Sequence, residues 1–199
     1  MPDSPTIYLP LQVAKALALA RCDDPVRYGI DKVLVKVGDG TVDFVATDAH
    51  MLLKVTLPHE GILEDGTYHI EPDRFLLLAK APINYCPHAL EVVQVTPGDG
   101  GFPDYAQVVP ADDQSRPNKD AGMNAKLLKS TGLITEWLTC EMEAKPTGYG
   151  YKKRAGSAFG RSLTWSHSSP LAPVRFDLPK DAEYLYEAAT VVVMPMRLG

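Results

Sequence analysis

Three groups of residues in this chain have the types and spacing to do chemistry. Asp48 and His50 stand two apart, which on a strand puts both on one face beside a turn. Such a pair could act as acid and base or begin a metal site, but no third ligand is spaced near it, so a hydrogen-bonding or pocket-wall role is expected. Lys152, Lys153 and Arg154, flanked by Tyr149, Tyr151 and Gly156, form the densest basic patch. It could track a phosphate backbone or simply solubilise a loop. Met194, Pro195 and Met196 follow directly on Val191, Val192 and Val193. The two methionines are soft side chains suited to receiving apolar partner residues, or to closing the core at the end of a strand. Pro195 cannot donate to a ladder, so the strand ends or lies at an edge there. No nucleophile elbow, glycine-rich phosphate loop or paired metal-ligand motif occurs, so neither catalysis nor a cofactor is expected.

The elements that carry these residues must come from 199 residues of which 45% are hydrophobic, enough for one domain or two small ones. The net charge of −5 argues against a uniformly basic nucleic-acid surface but not against a local basic face. No run approaches the roughly 18 apolar residues needed to cross a bilayer. Met1 to Pro5 lacks the basic and apolar parts of a signal peptide, so a cytoplasmic location is expected. Cys22, Cys86 and Cys140 are odd in number and widely spaced, which reads as buried small hydrophobes rather than a disulfide framework.

Taken in order, Thr6 to Leu9 reads as a strand, and Pro10 opens a helix to Arg21 with apolar residues at Leu11, Ala14, Leu17 and Ala18. Lys32–Val37, Thr41–Ala46 and Met51–Leu57 read as strands, the first two joined by the hairpin signal Gly38-Asp39-Gly40. The pattern restarts with Thr67–Ile70, a helix from Pro72 to about Lys80, and a strand over Leu90–Thr96. Ala111 to Asp120 is polar and proline-containing, a loop or linker. Asn124 can cap a third helix over Ala125 to Leu138, although Gly132 sits in its middle. Lys145 to Gly160 reads as a long loop, and Leu163–Ser166, Val174–Leu178 and Val191–Met194 supply the last strands. The repeated strand, helix, strands unit makes this an α+β chain.

Four segments then carry a resemblance: Val26-Arg27-Tyr28 with the strand after it, Val45 to Leu52, Phe102 to Pro110, and Val192 to Leu198. In that order they resemble the bacterial DNA polymerase III beta subunit, the sliding clamp, in a compact form similar to clamp-like proteins of phages and prophages. The resemblance implies a DNA-clamp-like fold, antiparallel sheets with helices on one face, with one unit over residues 1–110, similar to the clamp's middle domain and ending in the Phe102-Pro103-Asp104-Tyr105 segment, and a shortened one over 111–199. On that resemblance, roughly half of a cellular clamp is expected to be missing.

Clamps are not enzymes; they close around duplex DNA and tether polymerases through a pocket. Carried over, the pocket would be formed by Ile30, Thr47, Ala49, His50, Met51, Leu52, Pro103, Gln107, Val108, Val192, Met194, Pro195, Met196 and Arg197. It would take a short extended peptide with a glutamine-like head and apolar anchors. Ala49-His50-Met51 replaces the family's usual Gly-His-Arg, and Gln107 stands where Arg is usual, so an acidic partner residue should be favoured less. The resemblance likewise implies phosphate contact from Lys15 and Arg21 on the first helix, with Arg27 beside it, from Arg74 and Lys80 on the second, from Lys126 and Lys129 on the third, and from Lys152, Lys153 and Arg154.

The implied function is a processivity clamp, a homo-oligomer on duplex DNA with a DNA polymerase, other clamp-binding proteins and a clamp loader as partners, and with no membrane contact. The competing expectation is a clamp-fold adaptor or decoy that keeps the pocket without encircling DNA. A small enzyme built on Asp48 and His50 is a distant third.

Overall fold

The structure is a computed structural model, and it describes residues 5–24, 29–59, 61, 63–82, 90–110, 124–139, 142–144, 151–153, 164–166, 173–178 and 186–194. Pro10 ends β1 (Thr6–Pro10) in extended backbone and caps α1 (Leu11–Ala20). That helix is buried almost all round, at Leu11, Val13, Ala14, Ala16, Leu17 and Ala20. A helix apolar on every side belongs inside a fold. Accordingly α1 lies between α2 (Pro72–Lys80) and α3 (Ala125–Thr139) and against the sheet.

Three strands follow α1: β2 (Val33–Gly38), β3 (Thr41–Thr47) and β4 (Met51–Pro58). Asp39 and Gly40, at φ 54° and 71°, make the tight turn between β2 and β3. Two consecutive positive φ angles are what a two-residue hairpin of this hand requires. After β4 come β5 (Gly66–Ile70), β6 (Leu90–Gln94) and β7 (Thr96–Pro97). The last strands are β8 (Met142–Ala144), β9 (Tyr151–Lys153), β10 (Thr164–Ser166), β11 (Val174–Asp177) and β12 (Ala188–Val193).

Eight strands form one antiparallel sheet in the order β10-β11-β12-β4-β3-β2-β5-β7, while β1 pairs with β6 and β8 with β9. Alternation gives the large sheet two faces. Val33, Val35, Phe44, Ala46, Leu53, Val55, Val191 and Val193 form the core with the three helices. Leu34, Val45, Leu52 and Val192 point the other way and form a second cluster with Phe102 and Tyr105. The sheet is therefore apolar on both sides near its centre. Among the described residues, α-helices cover only one of them.

Two expectations need correcting. Leu90–Thr96 is not one strand, because β6 pairs with β1 while β7 pairs with β5. Val95 marks the change of partner; it is buried and its amide donates to the Pro5 carbonyl at 2.9 Å. Lys145 to Gly160 is not wholly loop, since β9 lies within it and pairs with β8.

Gly132 does not break α3, because it sits on the exposed side where nothing packs against it. The cap forms as expected: the Lys126 amide donates to Asn124 Oδ1 at 2.8 Å. Thr131, Thr135 and Thr139 line the buried side of α3, and each hydroxyl donates to the carbonyl four residues back at 2.8–3.0 Å. This leaves no unsatisfied buried hydroxyl along the stripe.

Cys22 is buried, as its residue type suggested, while Cys86 and Cys140 lie outside the described residues. None of the described helices is long and apolar enough to cross a membrane.

Candidate functional site

The site is built on the turn between β3 and β4. Thr47 Oγ1 donates to the Met51 carbonyl at 2.8 Å and accepts the Ala49 amide at 3.1 Å. The Asp48 carboxylate accepts the amides of His50 and Met51 at 2.8 and 2.7 Å. Those bonds hold Ala49 at φ 73°, a left-handed conformation that suits glycine better than alanine. They also commit Asp48 to the backbone, so Asp48 and His50 form an Asx-type turn rather than an acid–base pair. Across the turn, the Met194 amide donates to the His50 carbonyl at 2.8 Å.

The second component is a strap, residues 102–110, laid over the helix-free face. Phe102 and Tyr105 are buried against Leu34, Val45, Leu52 and Val192. A short 3-10 helix over Tyr105–Gln107 is capped by Asp104, whose carboxylate accepts the Ala106 amide at 3.2 Å and the Gln107 side-chain amide at 3.1 Å. The Lys36 ammonium lies 4.7 Å from the centre of the Tyr105 ring. Burial, reinforced by the charges of Asp43 and Asp104, pushes the Tyr105 phenol up to about 12. At the end of the strap, Arg175 Nη1 donates to the Pro110 carbonyl at 3.1 Å.

Between turn and strap lies a predominantly apolar cavity of about 210 Å³, lined by Ile30, Thr47, Ala49, Met51, Leu52, Pro103, Asp104, Tyr105, Val108, Val192 and Met194. Cavities of this kind hold a few apolar groups and use sparse polar atoms to orient them. The structure thus brings together residues from all four segments singled out in the sequence. Asp104 and Tyr105 were missed, although they stand inside the third segment; Tyr105, an aromatic next to a capping Asp, was the signal that could have found them.

Two expected pocket residues are elsewhere. Gln107 is exposed and turned to Asp104. His50 belongs to a larger, more polar hollow of about 660 Å³ shared with Arg21, Asp48, Asn124, Lys126, Leu127 and Met194. Met194 is the wall common to both. Met51 lines the first cavity yet is itself buried, with the Thr131 hydroxyl 4.0 Å from its sulfur. Pro195, Met196 and Arg197 lie outside the described residues.

The basic residues divide by burial. Arg74, Lys80, Lys126 and Lys129 are exposed on α2 and α3. Lys15 instead donates to the carbonyls of Ala79 and Ala81 at 2.9 and 2.7 Å, beside the Trp137 ring at 5.7 Å. It fills the carbonyl-rich end of α2, and burial lowers its ammonium from the ordinary lysine value. Arg21, with its side chain 4% exposed, donates to the Asp31 carbonyl at 2.7 Å and pairs with Asp23 at 2.6 Å. These two hold the scaffold together because α1 is enclosed by its neighbours. Arg27 and Arg154 lie outside the described residues, as do the side chains of Lys152 and Lys153 on β9.

No protein-family model and no curated protein sequence matches the chain. Solved structures do. The Helicobacter pylori beta clamp in complex with carprofen is similar at a TM-score of 0.58 and 13% identity, covering 100% of this chain and 68% of that one. The DNA polymerase III subunit beta of Pseudomonas aeruginosa is similar at 0.56 and 17% identity, covering 99% and 68%. The beta subunit of Thermotoga maritima gives 0.55 and 12% identity, covering 100% and 67%. The chain spans about two thirds of the length of each, more than the half expected from the resemblance. With antiparallel sheets, helices on one face and that likeness over its whole length, the chain has the fold of the bacterial DNA polymerase III beta subunit, the sliding clamp.

Proposed function

We propose that the chain is a non-catalytic, sliding-clamp-like processivity factor: copies assemble around duplex DNA, and a short peptide of a DNA polymerase or another replication protein docks in the cavity between turn and strap. The observation that carries this reading is the apolar cavity itself, placed on the helix-free face at the junction of β4 and β12. A site there leaves the helical side free. Arg74, Lys80, Lys126 and Lys129 are exposed on that side and suit a sequence-independent attraction to phosphates. The cavity has room for one or two aliphatic anchors, each buried CH₂ contributing about 0.8 kcal/mol.

Assembly would use the open side of β6, which among the described residues pairs only with β1. Leu90 and Val92 on that strand, and Leu77 on α2, are exposed by 55%, 59% and 76%. An unpaired edge beside exposed apolar side chains suits strand addition from a second copy. A cytoplasmic location and service by a clamp loader belong to the same reading.

The competing function, a clamp-fold adaptor or decoy that binds such peptides without encircling DNA, is favoured by one observation: the chain spans about two thirds of the clamps it resembles. Light scattering over a wide concentration range, with and without short duplex DNA, separates the two. A discrete closed oligomer is expected. A chain that stays monomeric in both conditions would leave the adaptor as the better account.

A further inference from the structure

His69 on β5 is buried, yet both of its ring nitrogens meet oxygen. Nδ1 lies 2.9 Å from the Gly98 carbonyl and Nε2 lies 2.8 Å from the Glu71 carboxylate. A carbonyl oxygen can only accept. Glu71 is an acceptor as well: partial burial raises its carboxyl, but the hydrogen bond from His69 and the charges of Lys32 and His69 outweigh that and hold it below the ordinary value. Both contacts are satisfied together when both nitrogens donate, the arrangement of the doubly protonated ring.

The other groups facing the ring are Lys32, ahead of β2, with Nζ 3.5 Å from both Nε2 and Glu71, and Thr96, opposite on β7. In the adjoining turn the Asp99 carboxylate is committed to the Gly101 amide at 2.9 Å.

The ring reaches the cavity through backbone. A Cβ on Gly100 would fall 2.9 Å from the His69 ring and 2.9 Å from the Lys32 stem, so the turn over 98–101 rests on both. One residue further, a Cβ on Gly29 would fall 2.2 Å from the Gly101 carbonyl oxygen. Gly29 leads into Ile30 and Gly101 into Phe102 and Pro103, so two walls of the cavity hang from this one turn.

We propose that His69 is a positioning residue for the cavity: its doubly protonated ring, clamped between Gly98 and Glu71, sets the turn that holds Ile30 and Pro103 in register. Losing a proton breaks the arrangement. The bond to the carboxylate is the charge-assisted one at 2.8 Å, whereas Lys32 stands at 3.5 Å, so Nε2 keeps its hydrogen and Nδ1 gives up its own. Two acceptors then face each other at the Gly98 carbonyl, and the turn is pushed away. The consequence for a ligand rests on the peptide-pocket reading above: affinity is highest with the ring charged and falls as rising pH discharges it.

The test follows the ring nitrogen shifts of His69 and the δ1 methyl signal of Ile30 by NMR across pH, with the affinity of a glutamine-led apolar peptide measured alongside. The Ile30 signal and the affinity should both move with the His69 titration, the affinity by roughly tenfold, the scale of one hydrogen bond to a charged group. Glu71→Gln, which keeps the side chain's size and removes its charge, should shift both transitions to lower pH, and His69→Gln should abolish them. An Ile30 signal that ignores the His69 titration, or that moves identically in His69→Gln, overturns the proposal. If the peptide binds at no pH, the pocket reading fails by itself and the Ile30 signal still decides whether His69 positions the wall.

Discussion

The Met194 amide donates to the His50 carbonyl at 2.8 Å, and this bond joins the end of β12 to the turn between β3 and β4. It fixes the methionine backbone from one side, while its side chain separates the apolar cavity from the polar hollow beyond. Substitution at this position therefore changes the cavity without cutting the backbone link. Met194→Ala should weaken binding of a glutamine-led apolar peptide roughly tenfold, the value of about 1–2 kcal/mol of apolar burial. Fluorescence anisotropy with the labelled peptide measures it, and unchanged affinity would remove Met194 from the site.

Ala49 supports a prediction of opposite sign. Its φ of 73° is held by its own amide, which donates to Thr47 Oγ1, and by the bond from the His50 amide to the Asp48 carboxylate across it, so the strain is built into the turn. Ala49→Gly should raise stability by about 0.5–1 kcal/mol, the relief of a left-handed alanine less the entropy a glycine adds to the unfolded chain. Denaturant titration would detect this as a higher midpoint with an unchanged slope.

Gly29 has no such latitude. At φ 88° and with its α-carbon against the Gly101 carbonyl, it cannot accept a methyl group without moving the turn. Gly29→Ala should cost more than about 2 kcal/mol and spread the Ile30 and Pro103 walls, seen as lowered thermal stability together with loss of peptide binding.

Tyr105 gives an alkaline signature. With its phenol pushed up to about 12 from the ordinary tyrosine value of 10.0, the unfolded chain loses this proton at a lower pH than the folded one. Its contribution to stability is complete below about 10 and disappears as pH rises through about 12. Stability measured against pH should decline over that window. Tyr105→Phe should flatten the decline while leaving stability at neutral pH nearly unchanged.

The lysines should separate by role. Lys126→Ser with Lys129→Ser should lower duplex affinity at all sequences and reduce the slope of log affinity against log salt by about one for each phosphate no longer neutralised. Lys15→Met should leave that slope alone. Its effect should appear as about 1–2 kcal/mol of lost stability, because the carbonyls of Ala79 and Ala81 are left without their donor.

Much of this architecture was legible in the residue order. Pro10 and Pro72 mark helix starts, Asn124 caps α3, and Asp39-Gly40 closes a hairpin, all through backbone preferences that act within a few residues. The segments that meet at the cavity were singled out by their resemblance to the sliding clamp, not by spacing or local preference. What tertiary structure decided was the company each side chain keeps. Sequence spacing sets Lys15 off the most apolar stripe of α1, but the end of α2 and the Trp137 ring turn that position inward. Leu90 to Thr96 reads as one strand until β1 and β5 claim different parts of it. Gln107 turns to Asp104 rather than to the cavity, and Tyr105 enters the cavity because the strap folds onto Leu52 and Val192. Local preference acts through near neighbours and can be read along the chain. Burial and pairing depend on segments far apart in sequence, and only the folded sheet brings those segments together.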